Sequence, residues 1–186
     1  AGAGTLYEEL LTVNPAHAVA LDATLEMARA DKAWDEVVRV LSRALTATTQ
    51  RELLVSRLTQ LAEAQSEGHD DSAAALVTWR RLERLGAPGV SARIEQICRD
   101  ESRWADLVDR LVSVDPTTAR RLEAASICRN ALEDLERATS IVEDLRAGAP
   151  DDRDVQEHVI QFYRSTGQWE ALRRLYESLL PRRTVD

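Results

Sequence analysis

Aromatic side chains are scarce in this sequence, with one Phe, three Tyr and four Trp among 186 residues, and glycine and proline are few at seven and five. Sheets draw on aromatic and β-branched residues, so these scarcities turn the expectation toward helices. Only two cysteines, Cys98 and Cys128, are present, with no Cys-x-x-Cys or Cys-His spacing, which excludes a disulfide framework and a cysteine metal site. Each sits in an Ile-Cys-Arg triplet and reads as a small buried hydrophobe. Lysine is almost missing: of 24 basic residues only Lys32 is one, and this arginine bias, beside abundant Ala, Leu, Val and Asp, suits a GC-rich bacterial genome. Acidic residues number 32, leaving a formal charge of −8; that field repels phosphate backbones and no basic run offsets it, so no nucleic-acid partner is expected. No stretch approaches the roughly 20 apolar residues that cross a bilayer, so no direct membrane insertion is expected. The N-terminus shows no signal-peptide pattern. The opening Ala1-Gly2-Ala3-Gly4 reads as an appended stretch, which leaves the compartment open with the cytoplasm as default.

The prolines carry the organisation. Pro15, Pro88, Pro116, Pro150 and Pro181 each follow a segment of helical periodicity, and two stand in the same triplet, Gly86-Ala87-Pro88 and Gly148-Ala149-Pro150, a helix-ending Gly before Pro. Between these stops one apolar face recurs. Its central residues are Tyr7, Leu41, Trp79, Leu111, Val142 and Tyr176, at intervals of 34, 38, 32, 31 and 34. Four residues before the later centres stand Val37, Ala75, Leu107, Ala138 and Leu172, and three residues after them Ala44, Leu82, Val114, Leu145 and Leu179.

A period near 34 residues, with a small residue, a large one four later, another packing residue three after that and then proline, as in Ala75, Trp79, Leu82 and Pro88, resembles the tetratricopeptide repeat family in a divergent form. The resemblance covers nearly the whole chain. It implies an all-α fold: a right-handed α-solenoid of antiparallel helix pairs, about five and a half repeats. The chain would be one such solenoid over 1–186, with a leading helix at 6–13 and pairs at about 16–46, 50–86, 89–114, 117–147 and 151–180. A start in mid-repeat suggests a segment of a longer protein. Two kinds of turn alternate within the pairs. Second helices open with Trp34, Trp104 and Trp169, expected to wedge between helices, or with Asp71 and Asp134, expected to cap them.

Catalytic chemistry finds no constellation. The three histidines, His17, His69 and His158, fall in different repeats and read as solvated or capping, and none has a ligand at helical spacing. No glycine-rich phosphate loop exists, and Asp70-Asp71 and Asp151-Asp152 stand where helix dipoles favour negative charge. No catalytic residue, metal or cofactor is therefore expected.

Counting back from the packing positions, by eight residues or in one case nine, gives Arg29, Glu67, Arg99, Arg129 and Arg164, so four arginines end first helices. The resemblance implies that first helices line a concave face that receives peptides or proteins. These arginines would edge it, able to grip acidic groups, with Glu26, Gln96 and Gln161 on the adjoining surface. Arginine in a last helical turn is also favoured by the dipole with no ligand at all. The implied function is a non-catalytic protein-interaction scaffold whose partner is a protein or peptide. The alternatives are a helical accessory domain of a larger enzyme and a self-assembling structural module.

Overall fold

The structure is a computed structural model that describes residues 3–68 and 71–179, apart from the side chains of residues 3 and 67. Ala1, Gly2, His69, Asp70, Pro181 and the Glu67 side chain, all singled out in the sequence, lie outside the described residues. Within them the protein is all-α, with eleven α-helices and no strand. The helices are α1 (Ala3–Val13), α2 (Ala18–Ala30), α3 (Trp34–Thr46), α4 (Arg51–Glu63), α5 (Ser72–Arg84), α6 (Val90–Asp100), α7 (Trp104–Ser113), α8 (Thr118–Asn130), α9 (Leu135–Gly148), α10 (Arg153–Thr166) and α11 (Trp169–Leu179). One turn of π-helix, Ala64–Gly68, extends α4.

The sequence explains each helix locally. In α3, Asp35 and Glu36 occupy the first turn and Arg43 the last, as the helix dipole prefers, while Val37, Val40, Leu41, Ala44 and Leu45 form one buried stripe. The two kinds of turn differ in how the helix that follows is capped. Asp71 accepts a hydrogen bond from the Ala74 N–H and Asp134 one from the Arg137 N–H, both at 2.9 Å, so α5 and α9 are side-chain capped. The helices that open with tryptophan after Ala33 and Arg103 have no side-chain cap. There the preceding helix ends in a left-handed residue: Lys32 has φ 55° and the next residue, Ala33, donates from N–H to the Ala28 carbonyl at 2.8 Å. Gly167, φ 69°, is followed by Gln168 donating to the Tyr163 carbonyl at 2.9 Å. This is the six-to-one bond of a Schellman ending. Ser102 and Glu133 hold the same left-handed angle two residues before α7 and α9.

Not every expectation of detail holds. Gly86 is left-handed at φ 71°, as a helix-ending glycine should be, whereas α9 runs through Gly148 and ends at Ala149. His17, by contrast, does what a capping histidine should: it caps α2, its Nδ1 accepting the Ala20 N–H at 3.3 Å.

The helices gather into two compact units, Ala1–Glu101 and Ser102–Asp186. In the first, each of α1 to α6 packs on its sequence neighbour; in the second, α7 to α11 do the same. The recurrent face forms the core of both: Val37, Leu41, Ala44, Ala75, Leu82, Leu107, Leu111 and Ala138 are all 0% exposed. Each large side chain among them contributes roughly 1.5–3 kcal/mol by burial. At the outermost helices the pattern weakens, with Tyr7 half-buried and Tyr176 and Leu179 exposed. Trp34 does wedge: its indole lies against the α-carbon face of Gly68, so a Cβ at Gly68 would fall inside the ring. Trp169 does not; it is 65% exposed.

Candidate functional site

Successive first helices leave clefts between them, floored by a second helix. In the second unit the cleft lies between α8 and α10, with Val142 of α9 at its base and a volume of about 290 Å³. Its walls are two equivalent helical faces. Leu122, Ala125, Ser126 and Arg129 line it from α8, and His158, Gln161, Phe162 and Ser165 from α10. Both sets are spaced i, i+3, i+4, i+7, and each α10 residue is 36 positions beyond its α8 counterpart. Arg129 closes one end. Its Nη1 donates to Ser165 Oγ at 2.8 Å and its Nε to Asn130 Oδ1 at 3.0 Å. Below it Cys128 is fully buried, and desolvation, reinforced by Asp134 and Asp109 against the opposing pull of Arg137, holds its thiol above the ordinary range. Tyr163, on the buried side of α10, is likewise raised by desolvation and then by Glu143, toward which its hydroxyl points at 3.5 Å.

In the first unit a cleft of about 410 Å³ lies between α4 and the start of α6, with Trp79 of α5 and the Ala87-Pro88-Gly89 loop among its lining. Val55, Thr59 and Glu63 form one wall, and Val90 and Arg93 part of the other. It therefore carries a carboxylate opposite a guanidinium, whereas no Asp or Glu lines the α8–α10 cleft.

The residues proposed from sequence scatter among these places. Arg129 and Gln161 meet in the α8–α10 cleft. Arg164 ends α10 but turns to α11, donating from Nη2 to the Tyr176 hydroxyl at 2.9 Å. In the first unit Glu26 and Arg29 are exposed on α2, and Arg29 lines a small hollow of about 230 Å³ with Trp34 and Gln60. Gln96 bonds Asp100 within α6 at 2.8 Å, and Arg99 stands 4.0 Å from Glu95 in the same helix. Neither of the two lines the α4–α6 cleft. Arginines elsewhere do cap helix ends, Arg51 on the Leu85 carbonyl at 2.6 Å and Arg43 on that of Thr12 at 3.3 Å.

The apolar walls Leu122 and Phe162 and the hydroxyls Ser126 and Ser165 were missed, and the constant offset of 36 is the signal that finds them. Among the described residues no group of three or more His, Cys, Asp or Glu side chains is placed to hold a metal, and no helix is long and apolar enough to cross a membrane. No protein-family model matches this chain and no curated protein matches it, so its function has to be read from the clefts and the side chains around them.

Proposed function

We propose that the chain is a non-catalytic protein-interaction scaffold, built as a tetratricopeptide-like right-handed solenoid of about five and a half helix pairs, that takes a partner protein or peptide on its first helices. The observation that carries this reading is a cleft between first helices floored by a second-helix side chain in each unit, with its two walls in register between α8 and α10. Second helices spend their recurrent face on the core, while first helices keep polar outward faces bearing Glu26, Arg29, Gln96, Gln161 and Arg164. Packing of each helix on its sequence neighbour within each unit is what a stacked repeat requires. Affinity purification with mass spectrometry tests the proposal. Replacing Arg99, Arg129 and Arg164 by Glu should abolish capture of partners from the source organism while circular dichroism stays helical; undiminished capture sinks it.

A second reading, self-association, is favoured by exposed apolar residues on the outermost helices. Leu6, Leu10 and Val13 lie on one face of α1, and Trp169, Tyr176 and Leu179 are exposed on α11. Light scattering across concentration decides it: a mass independent of concentration excludes this alternative.

A further inference from the structure

We infer that the α8–α10 cleft takes a peptide through an apolar side chain paired with an adjacent Asp or Glu side chain; the inference rests on the scaffold reading above and specifies the partner's chemistry. Four observations converge on it. First, the volume of about 290 Å³ is at the bottom of the range of small-molecule pockets, roughly 300–1,000 Å³, which suits one peptide side chain better than a whole metabolite. Second, the base is apolar: Val142 is 1% exposed and lines the cleft together with Leu122 and Phe162, so an aliphatic or aromatic side chain entering there exchanges water for hydrocarbon contact.

Third, the polar rim is built to donate. Gln161 is exposed on the α10 wall and its amide carries two N–H donors. The two hydrogen bonds of Arg129 use Nε and Nη1, which leaves Nη2 to meet a carboxylate, and the Ser165 bond holds the guanidinium at the cleft instead of letting it sweep through solvent. A guanidinium already fixed loses less entropy when it binds an anion. Fourth, the cleft stands out electrostatically. A chain of charge −8 repels an acidic ligand on average, but screening over about 8 Å leaves the choice to local charge. Here the ionisable walls are Arg129 and His158 with no carboxylate, while the α4–α6 cleft sets Glu63 opposite Arg93. An acidic group is thus accepted in one cleft and opposed by a like charge in the other.

The test is titration of the full chain, by calorimetry and by NMR, with short N-acetylated, C-amidated peptides that place Leu beside Glu. Matched probes carry Gln in place of Glu, or Gln with a free C-terminal carboxylate as the sole acid. Saturable binding of the Glu peptide is expected, with shifts at the Gln161 side-chain amide and about tenfold weaker binding of the Gln peptide, as loss of a charge-assisted hydrogen bond implies. Arg129→Gln and, at an exposed position that does not threaten folding, Ser126→Glu should each weaken the Glu peptide about tenfold. Equal binding of Glu and Gln peptides, preference for the terminal carboxylate, no saturable binding, or indifference to Ser126→Glu would overturn the inference. Those results leave the scaffold reading standing, since it is tested separately by whether the triple arginine variant keeps its partners.

Discussion

Exchanging residues at the left-handed turn positions should shift stability in opposite directions, depending on which residue the turn now holds. Lys32, Ser102, Glu133 and Gly167 occupy that angle, with φ of 55°, 53°, 54° and 69°, and only the last is glycine. An L-residue there is disfavoured by about 1–2 kcal/mol, since its Cβ crowds the following carbonyl. A Cβ at Gly167 would meet nothing nearer than Trp169 Nε1 at 3.9 Å, an ordinary contact, so no steric clash adds to the backbone term. Alanine also restricts the unfolded chain, which offsets about 0.4–1 kcal/mol. Gly167→Ala should therefore destabilise by about 0.5–1 kcal/mol. Ser102 is exposed and has no packing to lose, so Ser102→Gly should stabilise by a similar amount. Urea unfolding followed by circular dichroism measures both, and for a chain this size 1 kcal/mol corresponds to roughly 2–4 °C in melting temperature. An unchanged midpoint for Gly167→Ala together with a lowered one for Ser102→Gly would refute the claim that the left-handed angle sets the cost at these positions.

Other consequences are as direct. Gly68→Ala places a methyl in the Trp34 ring and should cost about 1–3 kcal/mol by overpacking, and in a double-mutant cycle with Trp34→Ala the two effects should not add; additivity would show that the wedge contact is not energetic. Asp134→Ala removes the cap on the Arg137 N–H and should destabilise by about 1 kcal/mol in urea, where a change under about 0.3 kcal/mol would contradict the capping role. Cys128 has its thiol raised by burial, so its contribution is fully present below the unfolded thiol's value near 8.5 and is lost as pH climbs through the higher folded value. Urea midpoints should therefore fall as pH rises past about 8.5, less steeply in Cys128→Ala, and an equal slope in both proteins would refute it.

The helical class and the alternation of turns were legible because they rest on local chemistry. Asp71 and Asp134 cap through their own backbone neighbours, and Val37, Ala75, Leu107 and Ala138 share a period that burial in either unit requires. What depends on a distant neighbour was not legible. Trp34, Trp104 and Trp169 look alike in sequence, yet Trp169 is exposed where Trp34 meets Gly68. The arginines at first-helix ends looked like one series, but they stand beside different groups: Arg99 near Glu95, Arg129 on Ser165 and Arg164 on Tyr176. Of the residues singled out in the sequence only Arg129 and Gln161 line the α8–α10 cleft, because a cleft also needs a matching face opposite, and counting back from one helix does not show it.

The central claim is that partners dock on first helices. Hydrogen exchange of the chain, free and saturated with a partner captured by affinity purification, tests it most directly. The account predicts that added protection concentrates in the first helices, with α8 and α10 prominent. Protection confined to the second helices α3, α5, α7 and α9, or to α1 and α11, would contradict it.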